Sequence, residues 1–266
     1  MNMLHSDASL IKSCKERGFV KLDWEEEARL SGLPHYRAKL TGSNFAIFVT
    51  IGHFPQSPNP ELSEKHYSDQ DYEVTVMFNY MTALGGVHYM LVHNERVLEN
   101  ARDYAQWQAT LLYDLLKKAP VPVQELPTPG FYSHHRFIRQ CKEAGFIKID
   151  WHEKVILPHS GRLSDWAELK GNRFVISLLI EYYGQPLKPG AHKNHHSNED
   201  HKIIVNFTYY TELGKMTYSV EHRERVLDDA YDYAEWQATL LYNMFRKAEA
   251  NDLHPRHDAP INEQDA

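Results

Sequence analysis

Residues 71–119 read DYEVTVMFNYMTALGGVHYMLVHNERVLENARDYAQWQATLLYDLLKKA, and residues 200–248 read DHKIIVNFTYYTELGKMTYSVEHRERVLDDAYDYAEWQATLLYNMFRKA. The two segments are identical at about 26 of about 49 positions without a gap. Similarity at a fixed spacing is the sequence signature of an internal repeat. We therefore interpret the chain as a tandem duplication of one module.

The match extends towards the amino terminus. Residues 14–24 read CKERGFVKLDW, and residues 141–151 read CKEAGFIKIDW. The offset between the copies grows by two after this segment, which indicates an insertion in the second copy. We place the two modules at residues 1–119 and 131–250.

The remaining segments have a different composition. Residues 120–130, PVPVQELPTPG, contain four prolines and predict an extended, stiff linker. Residues 251–266 contain too few apolar residues to fold alone and are interpreted as a disordered acidic tail.

Composition favours a globular protein. The chain has 266 residues, of which 42% are hydrophobic, and this is enough for substantial cores. No apolar run is long enough to cross a membrane, and the first residues lack the pattern of a secretory signal, so we expect a cytoplasmic protein without membrane contact. Cys14 and Cys141 occupy matching positions and are expected to be buried separately instead of forming a disulfide.

The net charge of −7 is unevenly distributed. Residues 1–119 carry 12 basic and 15 acidic side chains, whereas residues 131–250 carry 16 of each. Proteins that bind nucleic acid mainly through phosphate contacts usually have a basic excess. The charge balance therefore disfavours a nucleic-acid-binding protein of that kind.

Each module begins with a helix and two strands. The pattern predicts a short helix over Ser9–Arg17 that ends at Gly18, followed by a strand over Phe19–Trp24. Apolar residues at alternating positions predict a second strand over residues 45–51, and residues 174–180 repeat it.

The rest of the module is predicted as a hairpin and a long helix. Residues 72–80 and 87–93 alternate as strands, and residues 82–86 are interpreted as a longer hairpin loop. Residues 94–119 change to helical spacing. The apolar stripe of this helix consists of Val97, Leu98, Ala101, Ala105, Leu112 and Leu115.

These elements predict an α+β fold. Each module would contain a short helix, about four mostly antiparallel strands and a long C-terminal helix, in two layers with one face of the sheet against the helices. Related surfaces can be self-complementary, so we expect the two modules to pack about a pseudo-two-fold axis.

A histidine, a glutamate and an arginine recur where the last strand of each module meets the long helix. A histidine and a carboxylate could act as acid and base. We favour a structural interpretation, in which the glutamate is stabilised by the helix dipole and the histidine closes a strand, and we assign the arginines to a binding surface. The residues are His93, Glu95 and Arg96, then His222, Glu224 and Arg225.

Aromatic residues widen the apolar surface of both long helices. Tyr104 and Trp107 lie beside the core stripe, and Tyr233 and Trp236 repeat them. The surplus indicates either burial in the core or an interface, because Trp and Tyr are favoured at interface centres. We take these four residues as binding candidates.

Residues 192–201 of the second module read HKNHHSNEDH. Nitrogen and oxygen ligands of this kind suit zinc or nickel. A metal site needs preorganised ligands, and a polar loop bounded by glycine does not provide them. We therefore expect a solvated loop without a metal or cofactor. The possible ligands are His192, His195, His196 and His201.

The chain lacks the common nucleotide-binding, metalloprotease, serine-hydrolase and paired-cysteine motifs. We predict a non-enzymatic intracellular binding or regulatory protein that uses a joint surface of its two modules, with a protein as partner. One alternative is an enzyme that uses His93 and His222, or a metal held by the histidine loop. The other is a single-stranded nucleic-acid-binding protein with an acidic tail and stacking residues Phe48, Tyr72, Tyr80, Tyr182, Tyr183, Tyr209 and Tyr210.

Overall fold

The computed structural model describes residues 4–28, 34–53, 72–119, 134–156, 162–182 and 201–253. These residues form an α+β fold with four helices and one antiparallel sheet of ten strands. The helices are α1 (Leu4–Arg17), α2 (Leu98–Lys118), α3 (His134–Ala144) and α4 (Leu227–Leu253). The strands are β1 (Glu25–Ala28), β2 (Pro34–Thr41), β3 (Phe45–His53), β4 (Tyr72–Thr82), β5 (Gly85–Glu95), β6 (His152–Ile156), β7 (Leu163–Lys170), β8 (Phe174–Tyr182), β9 (His201–Thr211) and β10 (Gly214–Glu224).

The sheet runs without interruption through both parts of the chain, in the order β1-β2-β3-β4-β5-β10-β9-β8-β7-β6. The described parts of residues 4–119 and 134–253, called here the first and second halves, each contain a helix, five strands and a long helix. Strands β5 and β10 pair antiparallel at Met90 and Ser219, which are 129 positions apart, as are Gly42 and Gly171. The two halves therefore meet at corresponding positions.

One face of the sheet forms the core. In β3 the side chains of residues 45, 47, 49 and 51 are buried, and the alternating pattern predicted for this strand is confirmed. Strand β8 repeats the pattern at residues 174, 176, 178 and 180. Helices α2 and α4 lie against this face, so the arrangement has two layers.

Aromatic rings fill the core where the halves meet. Phe78 lies 5.3 Å from Tyr218 and Tyr89 lies 4.9 Å from Phe207, measured between ring centroids in edge-to-face contacts. Within each half the two rings are stacked. The core is thus continuous between the halves.

The prediction of a strand over Phe19–Trp24 is wrong. This segment is irregular and packs along the long helix: the Val20 N–H donates a hydrogen bond of 3.0 Å to Thr110 Oγ1, and Leu22 is buried. The sheet instead contains β1 and β2, so each half has five strands, not about four. The alternation of apolar residues correctly indicated a half-buried segment. It could not distinguish a strand of the sheet from an irregular segment that packs along helix α2.

The hairpin loop is shorter than predicted. Thr82 pairs with Gly85, which leaves only residues 83–84 as the turn. Gly85 has φ of 114°, a conformation that favours glycine. Gly214 has φ of 132° at the matching position in the second hairpin.

Helix boundaries also differ from the predicted ones. Strand β5 continues to Glu95, so α2 begins at Leu98, and Val97 of the predicted stripe is exposed. Helix α1 begins at Leu4, and Gly18 follows it with φ of 99°, as a glycine after a helix end should. Helix α4 extends to Leu253, past the predicted start of the tail.

Two further expectations concern thiols and membranes. Both cysteines are free and buried, one in each half. No helix in the described part of the chain combines the length and apolar character that crossing a membrane requires.

Candidate functional site

The structure brings two of the sequence candidates together in one cluster per half. In the first half His93 Nε2 lies 3.0 Å from Glu95 Oε1 on β5. The His93 ring stacks on Tyr104 of α2 at a centroid distance of 3.8 Å, and Tyr104 meets Trp107 edge to face at 5.7 Å. The cluster therefore links the end of β5 to the second and third turns of α2.

The second half repeats this geometry. His222 Nε2 lies 2.7 Å from Glu224 Oε1, and the His222 ring stacks on Tyr233 at 3.8 Å. Tyr233 meets Trp236 at 5.7 Å. We call these two groups of four residues the His–Tyr–Trp clusters.

The tryptophans of both clusters join the halves. The Trp107 indole N–H donates a hydrogen bond of 2.9 Å to Leu213 O in the turn between β9 and β10. The Trp236 indole N–H donates an equal bond to Leu84 O in the turn between β4 and β5. Trp107 is 2% exposed and Trp236 is 1% exposed, so neither belongs to an open surface. The surplus aromatic surface is an interface within the chain.

Burial also sets the acidity of the cluster phenols. Burial, strengthened by the carboxylates of Asp7 and Glu95, raises the pKa of Tyr104 to about 12. Burial and the Glu224 carboxylate raise the pKa of Tyr233 to about 12. Neither phenol can act as a base near neutral pH.

The clusters differ in one neighbour. His134, at the start of α3, lies near His222 with 6.4 Å between ring centroids and 5.7 Å from the Trp236 ring. Burial lowers the pKa of His134, and His222 lowers it further. The first half has Asp7 at the corresponding position.

The remaining sequence candidates lie apart from these clusters or outside the described residues. Arg96 and Arg225 are exposed just before α2 and α4. His192, His195 and His196 lie outside the described residues, and His201 begins β9, where its ring meets Tyr182 at 5.3 Å. Within the described ranges, no group of three or more His, Cys, Asp or Glu side chains could hold a metal ion.

Sequence reasoning missed a buried carboxylate in the second half. Asp165 is almost fully buried and accepts hydrogen bonds from the Tyr182 hydroxyl, from the Tyr231 hydroxyl at 2.5 Å and from the Lys154 N–H at 2.6 Å. Lys154 has φ of 54°, beside a register shift between β6 and β7. The first half has Tyr36 at the position of Asp165, with the guanidinium of Arg102 over its ring. Comparison of the two halves of the sequence therefore could not reveal this carboxylate.

The second feature that sequence reasoning missed is the face of the sheet opposite the helices, called here the open face. Met90 is 55% exposed and Val92 is 47% exposed, both on β5 beside the junction of the halves. Met77 and Phe48 extend this apolar surface across β4 and β3, because Met90 pairs with Met77 and Met77 pairs with Phe48. Large apolar side chains thus lie in the centre of a sheet face that carries no described helix.

A second apolar row crosses the open face of the other half. Trp166 pairs with Leu179, and Leu179 pairs with Ile204. The His152 ring stacks on the Trp166 ring at 4.6 Å. The signal that could have identified both rows is the apolar residues at the outward positions of strands whose inward positions are also apolar.

The proposed stacking aromatics are divided between the two faces. Tyr80 and Tyr209 are buried on the helix side and cannot stack on a ligand. Tyr182 bonds Asp165, and the Lys39 ammonium lies 5.3 Å from the Phe48 ring centroid. Tyr210 is exposed on β9, and Tyr183 lies outside the described residues.

Comparison with protein-family models, with curated proteins and with solved structures gave no match.

Proposed function

We propose that this chain is a non-enzymatic binding protein of the cytoplasm whose two duplicated modules jointly present the open face of the sheet to a protein partner. The duplication is supported by the sequence identity and by the shared order of elements in the two halves. The pairing of Met90 with Ser219 places corresponding residues at the junction. A partner that lies across this junction would contact both modules.

One observation carries the proposal: the apolar residues of the open face are not repeated between the halves. The row of Phe48, Met77 and Met90 corresponds to polar residues in the second half. Those counterparts are Ser177, Asn206 and Ser219, which continue the same row of paired residues across the junction.

In the second row, the apolar residues belong to the second half and the polar residues to the first. Trp166, Leu179 and Ile204 replace the more polar set of the first half, which consists of Arg37, Thr50 and Thr75. The two sets show that this fold accepts polar side chains at all these positions. Folding therefore does not require the apolar rows, and exposed apolar patches of this kind mark interaction sites.

The expected partner has an apolar surface that fits both rows. The two rows do not lie on one line across the sheet. The first row crosses β3 at Phe48, whereas the second crosses β8 at Leu179, the counterpart of Thr50, two residues further along the strand. Between them, the junction is polar at Ser219 and Asn206. We expect a partner segment with two apolar patches separated by polar residues that can hydrogen-bond to this strip.

The test compares two double variants in an affinity capture with quantitative mass spectrometry. Met90→Glu with Val92→Glu places two charges on the open face. Val97→Glu with Val226→Glu is the matched control, because both valines are 52% exposed but precede α2 and α4 instead of lying in the sheet. We expect the control to retain the partners of the unchanged protein and the open-face variant to lose them. Equal capture by both variants would contradict the proposal.

The nucleic-acid alternative is tested separately. A labelled single-stranded oligonucleotide is titrated with the protein, and its fluorescence anisotropy is followed at low salt. The label is on the oligonucleotide because Trp107 and Trp236 are buried between the halves and would not report binding elsewhere. Saturable binding that weakens with salt would favour this alternative.

A further inference from the structure

A cavity of about 350 Å³ lies between the two halves on the helix side of the sheet, away from the open face. Its wall includes residues of α1 and α2 from the first half and of the turn between β9 and β10 from the second half. Its floor is apolar: the side chains of Leu111, Leu115 and Tyr209 are almost fully buried, and that of Leu213 is partly exposed. This volume is in the range of small-molecule sites.

The rim of the cavity is charged. Arg17, Lys118 and Arg173 contribute three cations, and Asp114 and Glu212 contribute two carboxylates. Arg17 Nη1 lies 3.6 Å from Glu212 Oε2, so one ion pair connects the halves across the rim. The lining therefore carries one positive charge in excess.

These charges are not repeated in the corresponding residues on the other side of the molecule. Arg17, Arg173 and Asp114 correspond there to uncharged residues, and so does Glu212; only Lys118 has a charged counterpart. In the order Arg17, Arg173, Asp114, Glu212 and Lys118, the counterparts are Ala144, Asn44, Asn243, Ala83 and Lys247. The fold accepts uncharged residues at four of these five positions, so packing alone does not explain the charges.

We propose that this cavity binds a small organic anion with an aromatic body, the class represented by aryl phosphates. The aromatic ring would lie against the partly exposed side chain of Leu213 in this floor, and the anionic group would bind the guanidinium groups of Arg17 and Arg173. Planar guanidinium groups recognise phosphate by two parallel hydrogen bonds. The site is independent of the open face, so the ligand and the protein partner can bind together.

The probe is phenyl phosphate, titrated calorimetrically into the full chain at low salt. Phenol and inorganic phosphate are titrated alongside, since each offers only one of the two interactions. We expect phenyl phosphate to bind more tightly than either compound. Inorganic phosphate that binds as tightly as phenyl phosphate would show that the floor is not used and would overturn the proposal, as would the absence of phenyl phosphate binding.

Two substitutions with opposite expected effects test the rim. Arg173→Asn introduces the residue of the other half, retains the backbone N–H that donates to Glu249 Oε1 at 2.8 Å, and should weaken binding about tenfold. Asp114→Asn also introduces the counterpart residue and should strengthen binding a few-fold, because it removes a repelling carboxylate. Loss of stability alone would not strengthen binding.

Lys247→Ala serves as the matched control, because Lys247 is the counterpart of Lys118 and does not line the cavity. We expect its affinity to equal that of the unchanged chain. If Arg173→Asn fails to fold, as judged by circular dichroism, Arg17→Ala carries the same expectation of about tenfold weaker binding. Unchanged affinity in a folded arginine variant would overturn the proposal.

Discussion

Tyr89 and Tyr218 place two hydroxyl groups in the aromatic core at the junction of the halves. Both side chains are buried, and neither hydroxyl has a hydrogen-bond partner among the described residues. Burial raises the pKa of both phenols far above the ordinary value. A buried polar atom without a partner loses its hydration and gains nothing in return.

We therefore predict that Tyr89→Phe stabilises the protein by up to about 1 kcal/mol, since only the desolvated hydroxyl is removed. Tyr80→Phe is the control with the opposite sign, because the Tyr80 hydroxyl donates a hydrogen bond of 2.6 Å to Ala119 O. Its loss should destabilise the fold by about 1 kcal/mol. Urea unfolding measures both free energies, and a destabilised Tyr89→Phe would show that its hydroxyl is bonded.

The buried phenols also predict how stability depends on pH. The pKa of Tyr80, Tyr104 and Tyr233 is raised from 10.0 to about 12, mainly by burial. Between these two values the folded state holds protons that the unfolded state releases, so stability is complete below pH 10 and falls as pH rises. Each phenol contributes a loss of about 1.4 kcal/mol per pH unit in this range.

Urea unfolding across the alkaline range, together with the ultraviolet absorbance of phenolate, measures this effect. We expect the free energy of unfolding to fall steeply above pH 10 and the three buried phenols to ionise only as the chain unfolds. Constant stability up to pH 12 would contradict the raised pKa values.

At the scale of the elements, each hairpin depends on the helix of the other half. A Cβ added at Gly85 would lie 2.7 Å from the Trp236 ring, and one at Gly214 would lie 2.6 Å from the Trp107 ring. The backbone of each turn therefore lies directly against the tryptophan that bonds it. Only glycine supplies both this space and the positive φ.

We predict that Gly85→Ala is destabilising through two effects, the positive φ and the clash with Trp236. Gly18→Ala isolates the first, because Gly18 has φ of 99° and open space around it. The positive φ should cost about 1–2 kcal/mol in both variants, and the clash should add about 1–3 kcal/mol in Gly85→Ala alone. Equal free energies of unfolding for the two variants would show that the hairpin and Trp236 separate easily.

The sequence predicted the elements whose apolar pattern is unambiguous. The alternation over residues 45–51 identified β3 because one face is buried and the other is not. Strand β1 has three consecutive glutamates, Glu25, Glu26 and Glu27, and shows no apolar face. Short charged edge strands of this kind protect a sheet from pairing with other chains, and the same property hides them from pattern analysis.

The sequence predicted less of the candidate sites. Tyr104 and Trp107 were identified as surplus aromatics, but only the fold shows that the Trp107 indole bonds Leu213 of the other half. The charged cavity combines Arg17, Arg173 and Glu212, which are far apart in the chain. A local sequence pattern cannot predict a site whose residues come together only where the two halves meet.

At the scale of the whole molecule, the junction makes the two halves one structural unit. They share strand pairing at Met90 and Ser219, two tryptophan hydrogen bonds and the aromatic core. Arg17 and Glu212 add an ion pair on the surface, where such pairs contribute little. The apolar contacts and the buried hydrogen bonds should therefore hold the halves together without a covalent connection.

We therefore predict that a chain cut between the halves remains one particle. A protease site inserted within residues 120–130 allows cleavage after folding, and size-exclusion chromatography with light scattering measures the mass. We expect the cleaved halves to elute together at the mass of the intact chain. The same cleavage in a Trp107→Ala and Trp236→Ala double variant should give weaker association, because each substitution removes a buried ring and a hydrogen bond between the halves. Separation of the halves in the otherwise unchanged chain would mean that the connection, and not the junction, keeps the open face and the charged cavity assembled.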